Sequence, residues 1–383
     1  MSKPSVALVV GTRPEAIKIA PLAHRLRGRD DIELQLCITG QHQEMLEQVL
    51  ELFELPVAAR LPVPQGSSLT RLTSEMMREL DGYFHETSPA LVVVHGDTCT
   101  CFVASLAAFH LQLPVAHVEA GLRSGNRHSP WPEENYRRMA DTLAELHLAP
   151  TPAARDTLLA EGLPASRIRV TGNTVVDALL WMKQRIDDHR WRPDHTSPLA
   201  CLQPERRHVL ITSHRRESHG NGLQSICRAV ARLASRHTDV DFVFPVHLNP
   251  TVQQAVYGEL KHYRNVILTA PLDYRHLVWL MMHAELILTD SGGIQEEAVT
   301  LGKPLLILRD TTERPEALAN EGTRLVGTNP DAIYECAHNV LESRLELAPT
   351  DPSSSPYGDG QAARRIESFI VEWLAGRTRR PAS

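Results

Sequence analysis

Cysteine is sparse in this chain and falls in no pattern. The six cysteines, at positions 37, 99, 101, 201, 227 and 336, form no CxxC pair and no dense framework. A disulfide scaffold is therefore excluded, and free thiols in a reducing compartment are expected. No run approaches the ~18 apolar residues that a membrane span needs. No basic-apolar-small leader opens the chain, so a cytoplasmic protein without a membrane partner is expected. Positive charge is not in excess: 40 Lys and Arg stand against 46 Asp and Glu, a formal net charge of −6. That argues against a nucleic-acid partner, whose phosphates call for a basic face. No GxGxxG is present, which weakens a dinucleotide-binding reading. Neither a metal nor a cofactor is expected.

What is there is a globular composition, 42% hydrophobic and 22% charged over 383 residues. At about 150 residues per domain the length predicts two or three domains. Short β-branched runs alternate with helical stretches. Val6–Val10, Glu33–Thr39, Leu91–Val94, Pro114–Val118, Leu143–Ala149 and Ile168–Val170 read as strands of a parallel sheet with helices between them. From Thr171 the pattern changes. A helix to about Asp188 precedes a polar, proline-bearing stretch, 189–204, which is the best linker candidate. The βα rhythm then restarts at Val209–Thr212, Asp241–Val246, Val266–Leu268, Glu285–Thr289 and Leu305–Leu308, and Ala362–Leu374 reads as a last amphipathic helix. The expected architecture is α/β: two Rossmann-like, doubly wound domains facing a central cleft. No sequence repeat relates the halves.

Acidic residues follow two neighbouring strand runs, Asp97 after Leu91–Val94 and Glu119 after Pro114–Val118; Glu133 follows Trp131-Pro132, where a helix starts. Ligands of open α/β sheets bind beyond the carboxyl ends of the strands, so Asp97 and Glu119 should face one crevice. An acid at a helix start is also favourable with no catalysis, and Glu133 has that simpler explanation. Gly11-Thr12-Arg13 opens a helix near Ala16 that carries Lys18; its free N–H groups suit an anion, although an ordinary βα turn accounts for it equally well.

In the second half, Asp290-Ser291-Gly292-Gly293 joins a strand to a helix, and two glycines let backbone approach a phosphate. Glu296 and Glu297 follow in what reads as the first helical turn, either as acceptors for ribose hydroxyls or as complements to the helix dipole. His214-Arg215-Arg216 and Arg309 to Arg314 sit at two other strand ends of the same half. A lone histidine is more often structural, but these strand ends converge. Together they predict a diphosphate held by the second half and a sugar presented to Asp97, Glu119 and Glu133.

At this point the motifs form a known set. GTRPEAIK (11–18), HGDT (95–98), HVEAGLRS (117–124), PWPEE (131–134), TGNTVVDAL (171–179), HRRES (214–218), PVHLNP (245–250), DSGGIQEEA (290–298), LGKP (301–304) and RDTTERPEA (309–317) run in order through nearly the whole chain. The sequence resembles the non-hydrolysing UDP-N-acetylglucosamine 2-epimerases. The resemblance implies a GT-B-like fold, residues 1–171 plus 362–383 carrying the carboxylates and 172–361 binding UDP. It implies a homodimer acting on a UDP-sugar, interconverting UDP-GlcNAc and UDP-ManNAc for bacterial surface polysaccharides.

By the same resemblance Asp97, Glu119, Glu133 and His214 match the catalytic positions. Arg13, Lys18 and Arg137 match positions near diphosphate and sugar; Ser291, Gly292 and Gly293 match the phosphate turn, and Glu297 the ribose acceptor. Gln41, His42, Arg215 and His247 match motifs that bind a second, activating UDP-GlcNAc in some members. The pattern departs from the family at Gln43-Glu44 and at Tyr136. Two rivals share these features: an epimerase of a UDP-diacetamido-sugar uronate, and a GT-B glycosyltransferase.

Overall fold

The computed structural model describes residues 3–40, 43–63, 68–203, 205–213, 221–343 and 355–378. Contacts divide the chain into two compact units, Met1–Ala178 with Tyr357–Ser383, and Leu179–Pro356. Among the described residues no helix is long and apolar enough to cross a membrane.

Unit 1 contains β1 (Ser5–Val10), α1 (Arg13–Arg27), β2 (Glu33–Ile38), α2 (Gln43–Leu52), β3 (Val57–Arg60), α3 (Leu69–Thr87), β4 (Leu91–His95), α4 (Cys99–His110), β5 (Val115–Val118), α5 (Glu133–Leu143), β6 (Leu146–Ala149), α6 (Pro152–Ala160) and β7 (Ile168–Val170). The strands form one parallel sheet in the order β3-β2-β1-β4-β5-β6-β7. Helix α7 (Thr174–Asp188) carries the chain from unit 1 into unit 2.

Unit 2 contains β8 (Arg207–Thr212), α8 (Asn221–Arg236), β9 (Val240–Pro245), α9 (Pro250–Leu260), β10 (Val266–Thr269), α10 (Tyr274–His283), β11 (Leu286–Thr289), α11 (Gly292–Thr300), β12 (Leu305–Ile307), β13 (Thr323–Leu325) and α12 (Pro330–Ser343). Its parallel order is β10-β9-β8-β11-β12-β13. Both units thus have the doubly wound order, reversing between β1 and β4 and again between β8 and β11. At such a reversal the flanking helices diverge and leave a crevice at the carboxyl ends of the two strands.

The strands read as unbroken apolar runs because helices cover both faces of each sheet. Leu91 to Val94 and Val209 to Ile211 are wholly buried. Helix α3 buries Leu72, Met76, Leu80, Tyr83 and Phe84, a stripe at three- and four-residue spacing. Each such side chain contributes roughly 1.5–3 kcal/mol when fully buried. The last helix, α13 (Ala362–Thr378), packs on α1: Glu367 accepts from Arg25 and, at 3.0 Å, from Arg29. Its first turn is held by Asp177, whose carboxylate accepts from the Ala362 and Ala363 N–H groups at 3.1 and 2.9 Å.

Three elements go beyond the expected ones, and one expectation needs correction. β3 is a half-buried edge strand with two alanines, held by pairing with β2 rather than by propensity. β13 is three residues long with two exposed, too short for a periodic signal. α9 was not foreseen, although its cap is visible in Asn249-Pro250; the Asn249 side chain accepts from Thr251 N at 2.9 Å. The stretch from 189 is no free linker. Trp191 meets His276 edge-on at 4.9 Å, Arg275 lies over Trp191, and Leu199 is buried, so isolated apolar residues anchor a polar segment to unit 2.

Candidate functional site

In unit 1 the reversal point brings together the turn after β1 and the turn after β4. Thr12 and Glu15 form a capping box at the start of α1, which begins at Arg13 rather than near Ala16. One Glu15 oxygen accepts from Gly11 N at 3.0 Å and Thr12 N at 2.7 Å; the other accepts from Thr98 Oγ1 at 2.5 Å. A single buried carboxylate therefore ties the Arg13 turn to the Asp97 turn. Burial pushes Glu15 up to about 7, against the pull of its hydrogen bonds from Thr98 and Thr12. Glu15 was not among the sequence candidates. Its signal, a Thr-x-x-Glu box at a strand end, was there to be read.

Glu119 directly follows β5 in the left-handed region, with φ +69°, a conformation that costs a non-glycine residue about 1–3 kcal/mol. Its Oε1 accepts from Lys18 Nζ at 2.7 Å and from Asn173 Nδ2 at 2.9 Å. His95 Nε2 lies 3.7 Å from its Oε2. Burial pushes the His95 imidazole down to about 3, although Glu119 pulls the other way, so the ring is neutral at pH 7. Beneath this layer His117 joins Asp141 at 2.6 Å and the Gly96 carbonyl at 2.7 Å. Burial alone would raise Asp141, but His117 and Arg123 outweigh it and hold the carboxyl at about 2.

Asp97 is bonded by Arg137, a buried residue of α5. Glu133 is the first residue of α5 and half-buried, one turn before Arg137 on the same helix face. Arg137 also lies 3.4 Å from buried Glu134, which accepts from Ser124 N at 3.0 Å. Tyr136 stacks on Phe102 at 5.3 Å and packs against the core under β4. Arg13 is the half-buried first residue of α1. Of the unit 1 candidates, the structure pairs Lys18 with Glu119 and Arg137 with Asp97.

In unit 2 the corresponding ends are Ser213 after β8 and Asp290 after β11; Ser213 Oγ donates to Asp290 at 3.0 Å. Helix α11 begins at Gly292, earlier than a first turn holding Glu296 and Glu297 would require, and Ser291 makes no side-chain cap. That start moves Glu296 and Glu297 beyond the first turn, so the helix dipole no longer accounts for them. Glu296 accepts from Arg314 Nε and Glu297 from the Tyr274 hydroxyl, at 2.6 and 2.9 Å. Arg314 continues to Glu313 and Glu313 to Arg309, each at 2.6 Å.

The two glycines differ. A Cβ on Gly292 would lie 2.6 Å from Arg314 Nη1, whereas one on Gly293 meets no protein atom within 4 Å. Gly292 makes room for the arginine network; Gly293 leaves backbone open to an approaching group.

His247 follows β9, is exposed, and accepts from Asn249 N at 3.1 Å. His214, Arg215, Gln41 and His42 lie outside the described residues. Away from these turns, His237, His338 and Glu342 have ligand atoms within 4.8 Å of one another and offer the donor types of a metal site. They also satisfy one another and Arg236 directly, His237 to His338 at 2.9 Å and Arg236 to Glu342 at 3.7 Å.

Two doubly wound parallel units, one with strand-end carboxylates and one with a helix start open to anions, define a GT-B-like α/β protein. A model of the UDP-N-acetylglucosamine 2-epimerase family matches residues 24–371. A UDP-N-acetylglucosamine 2-epimerase of Escherichia coli (strain K12) is 48% identical over 363 residues, 94% of this chain and 96% of the relative. The crystal structure of UDP-GlcNAc 2-epimerase from Neisseria meningitidis, bound to UDP-GlcNAc, matches with a TM-score of 0.91 at 41% identity, covering 96% of this chain and 100% of that one. The S. aureus protein MnaA, solved with UDP, matches with a TM-score of 0.88 at 37% identity over 99% of each chain. The chain belongs to the UDP-N-acetylglucosamine 2-epimerase family.

Proposed function

We propose that this chain interconverts UDP-GlcNAc and UDP-ManNAc without net hydrolysis, as a cytoplasmic homodimer supplying bacterial surface polysaccharide synthesis. The observation that carries the reading is the pair of carboxylates, Asp97 and Glu119, at the ends of two adjacent strands whose register sets His95 against Val118.

The sugar C2 proton has no neighbouring carbonyl, so its direct removal would leave an unstabilised carbanion. Loss of UDP from C1 resolves this. A carboxylate takes the C2 proton, the C–H electron pair becomes the C1–C2 double bond, and the C1–O bond breaks with its electrons leaving on UDP. The intermediate is 2-acetamidoglucal. The diphosphate oxygen then adds back to C1 while C2 receives a proton on the other face. Asp97, Glu119 and Glu133 are the candidates for the two proton transfers, each contributing about 10²–10⁴-fold. Neighbouring carboxylates suit the task because mutual repulsion separates their pKa values. The helix start at Ser291–Gly293, with Arg13 and His214, stabilises the departing diphosphate, and Glu297 receives the ribose.

The test is incubation with UDP-GlcNAc in D₂O. Deuterium at C2 of both epimers is the expected outcome; recovery of both sugars with C2 unexchanged overturns the mechanism.

A further inference from the structure

We infer that His95 is a positioning residue for Glu119: a neutral hydrogen-bond donor that stabilises the ionised carboxylate during proton transfer. The inference rests on the proposed epimerase reading and names the device that holds one of its carboxylates. His95 is the last residue of β4, and 2% of its surface is exposed. Among the described residues its Nε2 has no hydrogen-bond partner within normal range. A buried polar atom in that condition is costly, and it persists where it serves a state other than the resting one. Glu119 Oε2 lies 3.7 Å from it, less than an ångström beyond a normal hydrogen bond. Glu119 is itself seated from the other side. Lys18 and Asn173 both donate to Oε1, and the left-handed backbone at Glu119 sets the direction in which the carboxylate leaves β5. Among the described residues the two oxygens thus have different neighbours, an ammonium and an amide on Oε1 and an imidazole on Oε2.

Because the imidazole is neutral across the working range, it does not exchange the substrate proton. It donates its own N–H when negative charge builds on Oε2. Among the described residues, Lys18 from α1 and His95 from the end of β4 face Glu119; Asp97 and His117 act on the His95 ring as well, with Asp141 of α5 behind His117.

The test compares two amide side chains of different reach. In His95→Gln the amide nitrogen falls where Nε2 stands; in His95→Asn it is too short. His95→Asn is expected to lower kcat by about 10–100-fold, the size of one hydrogen bond to a charged group, with KM little changed. The limb of the pH profile set by Glu119 moves to higher pH by about one unit, because the carboxylate has lost a donor. His95→Gln recovers most of both effects. The Glu119 carboxyl carbon, labelled with ¹³C and assigned by its loss in Glu119→Gln, is followed by NMR in the same proteins and reports its titration without turnover. An upward shift in His95→Asn, reversed in His95→Gln, supports the inference even where no epimerisation occurs, in which case the epimerase reading alone falls. An unchanged Glu119 titration in folded His95→Asn protein, or no recovery in His95→Gln, overturns it.

Discussion

Lys18 Nζ stands 2.7 Å from Glu119 Oε1, and both side chains are more than nine-tenths buried. The resemblance sets Lys18 near diphosphate and sugar; the fold seats it on a carboxylate 101 residues away. Removing one member of a buried pair leaves an uncompensated charge and costs about 3–5 kcal/mol. Lys18→Met is expected to lose that much in urea denaturation. The double variant Lys18→Met with Glu119→Gln should lose less than the sum of the singles, since no buried charge is then left alone. Additive losses would mean that the pair does not couple.

Asp97 is held by Arg137 and keeps 31% of its side chain exposed, so a neutral isostere fits without disturbing the core. Asp97→Asn should lower C2 deuterium exchange by about 10²–10⁴-fold. UDP affinity, measured by calorimetry, should stay within threefold of wild type. Retained exchange would remove Asp97 from the mechanism.

The two glycines of α11 should respond in opposite ways. Gly293→Ala meets no atom within 4 Å and adds helix propensity, so stability should rise by roughly 0.5–1 kcal/mol while UDP binding weakens. Gly292→Ala forces Arg314 to move from 2.6 Å and should lower the melting temperature. Unweakened UDP binding in Gly293→Ala would argue against a phosphate at this turn.

Glu15 makes stability depend on pH with a definite sign. Its carboxyl is raised from 4.5 to about 7 in the folded chain, so between these values the folded state holds a proton that the unfolded state has released. Stability therefore falls as pH rises through this window and levels off above it, by about 3 kcal/mol in all. In Glu15→Gln the amide oxygen replaces the oxygen that accepts from Gly11 and Thr12, and the amide nitrogen faces Thr98 Oγ1, which accepts in turn. The variant should match wild type near pH 4.5 and exceed it at pH 8 in denaturant titrations. Asp177, raised to about 6 by burial, gives both proteins a slope of the same sign, and the difference between them isolates Glu15. Identical profiles would refute the raised carboxyl.

Much of the site was legible because strand ends can be read locally. An apolar run followed within three residues by Asp97, or at once by Glu119, places the residue at the carboxyl edge of a sheet before any contact is known. The Ser291-Gly292-Gly293 turn is legible for the same reason. Glu15 escaped notice because its capping role looks structural until Thr98 is seen on its second oxygen. Glu296 and Glu297 were alike in sequence; Arg314 beside one and Tyr274 beside the other distinguish them. Trp191 and Leu199 anchor a segment whose isolated apolar residues form no period, so nothing local marks it as packed.

By itself the sequence determined the two βα series, the buried strands and the residues that end them, because hydrophobic burial writes a short-range period into the chain. Only the tertiary structure decided which side chains meet: Lys18 with Glu119, Glu15 with Thr98, Arg137 with Asp97, His95 across from Glu119. These partners are 24 to 101 residues apart. What joins them is the order in which strands pair around the reversal between β1 and β4, a property of the assembled sheet with no local trace.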